Sequence, residues 1–257
     1  MHLSQQFFKV NMLNKHKILD KLPKNRVDLH LFESIDSTNE ECKRIHQNKD
    51  FHVVIAEQQT MGKGRLGKNW SSPSSGNVYM SIYSKELPNS MPLSLLVGLI
   101  CVETLNSMIK NNSIGLKWPN DMLLDKKKIG GILVEKEIMG KDINNIVGIG
   151  INLNHPEKED WWGDLHKFGI HLRRDELINK VLKGYIKFYD NGISDWQDLW
   201  QKYCVHLNHE IKIKHNNNII NEGIFLGINA DGSLNLKTND NEEIKYEHGE
   251  ISIEGIY

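Results

Sequence analysis

The sequence predicts an α+β fold, in which a mixed β-sheet packed with helices is followed by a small β-barrel. Three observations predict this class. Between residues 114 and 153, three strand-like segments rich in glycine and isoleucine follow one another without a helix, which is typical of mixed or antiparallel pairing and not of a doubly wound sheet. Amphipathic helices are indicated before and after that stretch. From about residue 207 the chain consists of short strands joined by Asn, Asp and Gly turns, a pattern typical of a small barrel.

The first part of the chain alternates strands with helices. A strand is predicted over Leu29–Ile35, and Ser37-Thr38-Asn39-Glu40 then has the form of a capping box, which predicts a short helix. Val53–Glu57 has the composition of a buried strand, and Val78–Tyr83 has the alternating pattern of a further one. A helix is expected to begin at Pro92 and to run to about Ile109, because proline suits a first helical turn.

The second part supplies the remaining strands, two helices and the barrel. The three consecutive strands are predicted at Ile114–Trp118, Ile129–Val134 and Ile146–Leu153, and the helices at Asp175–Tyr189 and Asp195–His206. The barrel strands are predicted at Ile211–Ile213, Gly223–Ile228, Leu234–Leu236, Ile244–Tyr246 and Ile251–Ile253. We therefore expect an N-terminal extension over residues 1–28, a central domain over residues 29–206 and the barrel over residues 207–257.

Composition narrows the classes of function. The chain has 257 residues, 39% of them hydrophobic, and a net charge of −1, so it can bury a large core and has no overall field that would favour DNA or an anionic membrane. Its three cysteines are far apart, which predicts neither a disulfide framework nor a zinc site and fits the cytoplasm. The longest apolar run, Leu95–Val102, is too short to cross a bilayer. His206 and His209 are expected to be surface residues beside the domain boundary.

The most informative segment is Gly62–Trp70, called the glycine loop here, with the sequence G-K-G-R-L-G-K-N-W. Closely spaced glycines allow the backbone to approach a ligand, and Lys63, Arg65 and Lys68 add positive charge. The G-x-G-x-x-G spacing also fits a Rossmann turn, but turn-forming residues follow where that fold needs a helix. Kinase and Walker loops are excluded because their other motifs are missing. Taken alone, the loop is equally compatible with a phosphate site and with an exposed basic hairpin.

Four segments together carry a resemblance to a known family. They are Ser37-Thr38-Asn39, Glu57-Gln58-Gln59 with the glycine loop, Lys117-Trp118-Pro119-Asn120-Asp121, and Gly130–Glu135 followed by Gly148–Asn152. In order and spacing they resemble biotin protein ligase, the enzyme that attaches biotin to a lysine of acetyl-CoA carboxylase. The resemblance covers about Leu31 to the C-terminus. It implies a catalytic fold like that of class II aminoacyl-tRNA synthetases, with a C-terminal SH3-like barrel.

The resemblance implies an ATP-dependent reaction in two steps. Biotin and ATP form biotinyl-5′-AMP with release of pyrophosphate, and the biotinyl group then passes to a lysine of the biotin carboxyl carrier protein. No enzyme nucleophile is needed, because catalysis can come from positioning two anions and neutralising charge on phosphate. Mg²⁺ is expected with ATP, although no carboxylate cluster identifies its ligands. Only about 28 residues precede the matching region, which favours the ligase-only type without a DNA-binding domain. The sequence allows a homodimer without requiring one.

Residue roles follow from the resemblance and from side-chain chemistry. Lys117 and Arg65 are the candidate catalytic residues, as cations that neutralise charge on the phosphate, and Lys63 is expected to help hold that phosphate. The residues assigned to biotin are Ser37, Thr38, Asn39, Gln59, Lys63, Gly64, Arg65, Lys117 and Gly131. Those assigned to the nucleotide are Arg65, Trp70, Lys117, Asn120, Asn152 and Trp162, the last at the position where the family stacks an aromatic ring on adenine. Gly130 and Gly131 are expected to let the backbone approach the ligand.

The glycine loop departs from the commonest form in the family at two positions. Lys63 and Leu66 stand where many relatives have arginine. Lysine keeps the charge but lacks the bidentate guanidinium fork, and leucine removes a charge altogether. A looser hold on the adenylate is the expected consequence.

Two rival functions remain. A lipoate or octanoate transferase, which the resemblance places on a related fold, also acylates a carrier lysine; the K-W-P-N-D and G-K-G-R segments argue against it. A binding module for RNA or a small molecule could use the basic loop and the barrel. The balanced charge and the lack of a basic, aromatic strand face argue against that reading.

Overall fold

The structure, a computed structural model, describes residues 13–45, 48–86, 92–110, 113–156, 159–216, 218–247 and 251–254. Its helices are α1 (Lys15–Ile18), α2 (Thr38–Arg44), α3 (Leu93–Met108), α4 (Arg174–Asn191) and α5 (Trp196–Tyr203). The strands of the first sheet are β1 (Val27–Ile35), β2 (Phe51–Gln59), β3 (Val78–Lys85), β4 (Gly115–Lys117), β5 (Asp121–Leu124), β6 (Lys127–Met139) and β7 (Asp142–Ile151). Those of the second are β8 (Glu210–His215), β9 (Asn218–Ile228), β10 (Leu234–Thr238), β11 (Glu243–Tyr246) and β12 (Ile251–Glu254).

The first sheet is mixed, as the sequence predicts. Its order is β1-β2-β3-β7-β6-β5-β4. Strands β1 and β2 are parallel, and the other neighbouring strands are antiparallel. The α+β class is therefore confirmed. Helix α1 and strand β5 are not predictable from the sequence, because α1 is too short for a helical period and Asp121–Leu124 of β5 shows no alternation of polar and apolar residues.

Helices cover both faces of this sheet. The larger core lies under α3 and α4, where Leu96 and Leu99 of α3 are fully buried and each stabilises the fold by roughly 1.5–3 kcal/mol. Helix α2 covers the other face over a smaller cluster that includes Cys42, Val54 and Tyr83. Alternate residues of β2 face the two cores, which explains its continuous apolar composition. In the part of the chain that the structure describes, every helix is too short or too polar to span a bilayer.

The second sheet is antiparallel, with the order β11-β10-β9-β8-β12. Among the described residues its edge strands, β11 and β12, do not pair with each other. The small barrel that the sequence predicts is thus present as an open five-stranded sheet, which has the predicted strands but is not closed. Each edge strand has only four residues, which leaves few backbone groups for closure.

The second sheet is attached beside the K-W-P-N-D segment. The indole Nε1 of Trp118 donates a hydrogen bond of 2.9 Å to the carbonyl of Gly232. Gly232 has φ of +82° and lies so close to Pro92 that an added Cβ would be 2.3 Å from the Cβ of that proline. Glycine is required at this position on both counts. The domain limits expected above stay predictions; α5 ends at Tyr203 and β8 begins at Glu210.

His206, in the connection between α5 and β8, is fully buried, so the expectation of a surface residue is wrong for it, whereas His209 is exposed. The His206 ring packs against Trp200 and Phe225, with centroid distances of 6.2 and 4.3 Å. Burial, followed by the charge of Lys117, lowers the pKa of His206 to about 3. This histidine is therefore neutral at physiological pH and packs as an aromatic core residue.

We expect Trp118→Phe to lower the free energy of unfolding by about 1–3 kcal/mol, because it leaves the carbonyl of Gly232 without its buried donor. Urea denaturation would measure the change. Trp161→Phe is the matched control, since Trp161 is 41% exposed and should shift stability by less than about 0.5 kcal/mol. Equal effects of the two substitutions would contradict the proposed importance of the contact.

Candidate active site

A cavity of about 870 Å³ lies where α2, the glycine loop, the end of β4 and the second sheet meet. Every residue that the sequence analysis assigns to biotin or to the nucleotide lies on its lining: Ser37, Thr38, Asn39, Gln59, Lys63, Gly64, Arg65, Trp70, Lys117, Asn120, Gly131, Asn152 and Trp162. The second sheet contributes Lys214, Ser252, Ile253 and Glu254. The fold thus brings together segments more than 200 positions apart in the sequence. Their roles stay predictions.

One end of the cavity is lined by a neutral hydrogen-bond network. The backbone N–H and the hydroxyl of Thr38 donate to Gln59 Oε1 at 2.8 and 3.0 Å. Ser81 Oγ lies 2.7 Å from Thr38 Oγ1 and 2.5 Å from Asn39 Oδ1. Gln59 Nε2 in turn donates to Ser72 Oγ at 2.8 Å. Such fixed amides and hydroxyls suit an uncharged ligand that has both donors and acceptors.

The start of α2 differs in detail from the predicted capping box. Ser37 occupies the N-cap position and is buried, but its side chain makes no capping hydrogen bond. Its backbone N–H is satisfied by Asp36 Oδ1 at 2.8 Å, so Glu40 is not needed there. The Glu40 carboxylate instead faces Lys43 and Lys63.

Asn39 is held from two sides. Its Nδ2 donates to Glu135 Oε2 at 2.6 Å, and its Oδ1 lies over Gly148, where an added Cβ would be 2.6 Å away. The sequence analysis did not identify Ser81 or Glu135 as members of this site. The one signal for Ser81 was a polar side chain on a mostly apolar strand, whereas Glu135 ends the Gly130–Glu135 segment of the resemblance without an assigned role.

The glycine loop is a tight hairpin. Lys63 and Asn69 form an antiparallel bridge, and the N–H of Gly64 donates to the carbonyl of Lys68 at 2.7 Å. At the tip, Leu66 is exposed and has φ of 56°, a left-handed conformation that few leucines adopt. Lys63 lines the cavity, but its ammonium group lies 2.5 Å from Glu40 Oε1.

Arg65 is the half-buried cation of the loop. Its Nη1 donates to Asn120 Oδ1 at 3.3 Å, which connects the loop to the K-W-P-N-D segment. Asn120 is itself held by β6, because its Nδ2 donates to the carbonyl of Ile132 at 2.9 Å. Burial lowers the pKa of Arg65, an effect that the carboxylate of Asp121 opposes. Arginine remains protonated under such conditions, so a permanent positive charge faces the cavity.

Lys117 is the most deeply buried cation of the cavity. It ends β4, is 4% exposed, and precedes a cis peptide bond between Trp118 and Pro119. Burial lowers the pKa of Lys117 to about 8, and the carboxylate of Asp121 partly opposes this shift. A poorly solvated ammonium group interacts strongly with anions, because little water screens its charge.

Aromatic side chains line the far end of the cavity. The ammonium group of Lys128 lies 5.3 Å from the ring centre of Trp70 and 5.9 Å from that of Trp161, and it forms a 2.7 Å ion pair with Asp121. Trp162 contacts Trp161 edge to face at 5.4 Å. Neither Lys128 nor Trp161 is identified from the sequence. Each belongs to a residue type that occurs several times in the chain, and neither lies in one of the motif segments.

Asn152, Gly130 and Gly131 have different surroundings in the structure. Asn152 Nδ2 donates to the carbonyl of Gly163 at 3.1 Å, whereas its buried Oδ1 has no hydrogen-bond partner among the described residues. A Cβ on Gly130 would meet Met122 and the backbone of Gly150. Glycine at 130 is therefore needed for strand packing, and its expected approach to the ligand stays a prediction. Gly131 does line the cavity.

Within the described residues, one group of side chains has metal-ligand character: Asp28, His30 and His52. None of these residues lines the cavity. His52 Nε2 accepts backbone N–H groups of Asn48 and Lys49 at 3.1 and 3.2 Å, so its hydrogen resides on Nδ1. That nitrogen then has no lone pair for a metal.

Comparison with known proteins agrees with this geometry. Residues 31–152 match the biotin/lipoate A/B protein ligase family, and residues 206–253 match the biotin protein ligase C-terminal domain. The chain is similar to the bifunctional ligase/repressor BirA of Escherichia coli, with 31% identity over 246 residues that cover 89% of this chain and 74% of that protein. It is also similar to the biotin–protein ligase of Homo sapiens, with 33% identity over 181 residues, 63% of this chain and 25% of that protein. Biotin protein ligase from Aquifex aeolicus, solved with biotin and ATP, superposes with a TM-score of 0.73 at 28% identity and covers 88% of this chain and 98% of its own. The chain therefore belongs to the biotin protein ligase family.

Proposed function

We propose that this biotin protein ligase uses ATP to form biotinyl-5′-AMP and then biotinylates a lysine of the biotin carboxyl carrier protein of acetyl-CoA carboxylase. One observation carries the proposal. A single cavity joins a neutral polar network, formed by Thr38, Asn39 and Gln59, to the cations Lys117 and Arg65. The first part suits the neutral ureido ring of biotin, and the second suits its carboxylate and a phosphate.

In the first step, a carboxylate oxygen of biotin attacks the α-phosphorus of ATP, and the bond to pyrophosphate breaks. The two reactants repel each other, so a buried positive charge between them lowers the barrier. Lys117 supplies that charge from the end of β4, and Arg65 supplies a second one from the glycine loop. No enzyme group forms a covalent bond to the substrates.

In the second step, the neutral amine of the acceptor lysine attacks the biotinyl carbonyl carbon. The bond to the AMP oxygen breaks, and the nitrogen loses a proton to solvent. Arg65, which donates to Asn120, holds the departing phosphate until the acceptor arrives. Retention matters because a free acyl-adenylate reacts with other amines.

The nucleotide occupies the aromatic end of the cavity. Trp162 stacks on adenine, and Trp70, Asn120 and the buried Oδ1 of Asn152 lie along the same lining. Mg²⁺ enters bound to the phosphates of ATP, and carboxylate oxygens are the ligands it prefers in proteins. Asp121, Asp125, Asp160 and Glu254 are the carboxylates on the lining that could hold it.

Activity should depend on the ionisation of Lys117. Its pKa is lowered to about 8, and the charged form is the active one, so kcat/KM for biotin should be constant below that pH and fall roughly tenfold per pH unit above it. A pH profile of pyrophosphate release measures this. Lys117→Arg, whose guanidinium stays charged, should remove the alkaline fall even if its activity is low. An unchanged fall in that variant would assign the titration to another group.

Lipoate or octanoate transfer is not favoured, because the human relative, the Aquifex aeolicus structure and the matching C-terminal domain are all named for biotin. The direct test is to mix the purified protein with biotin, Mg-ATP and a carrier domain, and to weigh the carrier by mass spectrometry. The expected result is the mass of one biotinyl group on one lysine, with pyrophosphate released only when biotin is present. Release with lipoate but not with biotin would overturn the proposal.

We also propose that the protein acts in the cytoplasm and on a protein acceptor, without binding DNA. The cysteines Cys42, Cys101 and Cys204 are not joined in disulfides, which fits the reducing cytoplasm. The net charge of −1 fits a ligase that acts on a protein acceptor and does not bind DNA. Sedimentation with and without biotin and ATP would decide between a monomer and a homodimer.

A further inference from the structure

A row of charged side chains, called the α2 tether here, connects the glycine loop to the neutral network. Lys63 Nζ and Lys43 Nζ lie 2.5 and 2.8 Å from the same oxygen, Oε1 of Glu40. Lys43 also lies 3.4 Å from Glu135, which accepts the 2.6 Å hydrogen bond from Asn39. The tether therefore runs from Lys63 to Asn39 by way of Glu40, Lys43 and Glu135. Three separate elements meet in it: the loop, α2 and β6.

Lys63 lies at a position where its contact with Glu40 can restrain the glycine loop. Lys63 is paired with Asn69 at the base of the loop hairpin, two residues before Arg65. On the other side of the loop, Arg65 Nη1 donates a hydrogen bond of 3.3 Å to Asn120 Oδ1. An anchor at Lys63 thus limits how far the hairpin can swing away from the cavity. The loop itself contains three glycines, which make it costly to order without such an anchor.

The charges of the tether are complementary. Hydrogen bonds from Lys43 and then from Lys63 lower the pKa of Glu40, so its carboxylate is ionised at neutral pH. The Glu40 and Lys63 side chains are 27% and 43% exposed, and an isolated pair of that exposure contributes little. Here both partners belong to a connected network of five side chains, in which each pair restricts the next.

We propose that Glu40 is a positioning residue, which holds the glycine loop over the cavity through Lys63 so that Arg65 stays on the adenylate phosphate. This inference rests on the proposed function. It also assigns Lys63 a task different from phosphate binding: the ammonium group is the anchor of the loop. A lysine suits this task because two ammonium groups can share one carboxylate oxygen as compact point charges.

Limited trypsin digestion tests whether Glu40 holds the glycine loop in place, and it needs no ligase assay. Cleavage after Arg65 and Lys68, mapped by mass spectrometry, reports opening of the loop. Glu40→Gln should speed this cleavage roughly three- to fivefold. Glu41→Gln is the matched control, because Glu41 lies next to Glu40 on α2 but pairs with Arg44; it should leave cleavage unchanged. Thermal melting of each variant verifies that it is folded.

A double-mutant cycle tests whether Glu40 acts through Lys63. Lys63→Gln alone should speed cleavage as Glu40→Gln does, and the double variant should be no faster than either single variant. The functional part is measured as biotin attached to an unrelated lysine-rich protein relative to the carrier. That ratio should rise roughly three- to fivefold in Glu40→Gln and remain at the wild-type value in Glu41→Gln.

Each failure has a distinct meaning. If Glu40→Gln is cleaved no faster than Glu41→Gln, or if the two loop substitutions add, the tether does not hold the loop and the inference is wrong. If cleavage rises but bystander labelling does not, the loop is anchored without retaining the adenylate, which also overturns the inference. Wild-type protein that releases no pyrophosphate with biotin would instead contradict the proposed function, whatever the digestion shows.

Discussion

Replacing Lys117 by alanine should lower biotinyl-adenylate formation by about 100-fold or more while the protein stays folded. The substitution removes a buried positive charge from the place where two anions must meet. Lys117 lies at the last position of β4 and is not one of the hydrophobic core residues. Biotin-dependent pyrophosphate release under single-turnover conditions measures the step, and the loss should lie mainly in kcat, since the charge acts most strongly on the transition state.

Lys85→Ala is the matched control for this substitution. Lys85 also ends a strand, β3, but it is exposed and lies outside the cavity. Its removal should change neither pyrophosphate release nor thermal stability measurably. Near-normal release in Lys117→Ala would exclude the assigned role and would leave Arg65 as the principal cation of the first step.

Arg65→Gly should turn the enzyme into one that releases its intermediate. The variant loses charge-assisted hydrogen bonds to the phosphate, each worth roughly 1.5–3 kcal/mol, and gains a fourth glycine in a loop that must be ordered. Adenylate should then escape and acylate exposed lysines of any protein present. Incubation with biotin, Mg-ATP and an unrelated lysine-rich protein, followed by a blot for biotin, measures the escape.

Leu66→Gly separates the two effects of that substitution. Leu66 has φ of 56° and an exposed side chain, so glycine fits there without strain and no charge is lost. If charge is the main effect, Leu66→Gly should label the bystander no more than about twice as strongly as wild type, whereas Arg65→Gly should exceed wild type tenfold or more. Equal labelling by both would show that loop order, and not the guanidinium, retains the intermediate.

The sequence predicts the first sheet well because most of its strands have a composition that is typical of buried strands. Val53–Glu57 and Val78–Tyr83 lie within β2 and β3, and the absence of helices between residues 114 and 153 correctly indicates antiparallel pairing. Strand β5 is missed because its segment, Asp121–Leu124, shows no alternation of polar and apolar residues, unlike the equally short β11 and β12. Closure of the second sheet also fails as a prediction, since it depends on how two distant edge strands meet.

The candidate site shows a similar division. Motif residues such as Thr38, Gln59 and Lys117 are brought to one cavity as expected. Their partners are not predictable, because Ser81 and Glu135 acquire importance only when the sheet places them beside Asn39. The same limit applies to His206, whose burial follows from the packing of Trp200 and Phe225 and not from local sequence.

The hydrogen bond from Trp118 to Gly232 couples ligand affinity to the association of the two sheets. The indole belongs to the segment that carries Lys117, and the carbonyl belongs to the second sheet, which itself lines the cavity with Lys214 and Ser252. A ligand that touches both walls is therefore also a cross-link between the two sheets. If nucleotide binding strengthens the association of the two sheets, then by thermodynamic reciprocity sheets that are already associated bind the nucleotide more tightly, by the same free energy. Mutations at this contact should therefore change nucleotide affinity as well as stability.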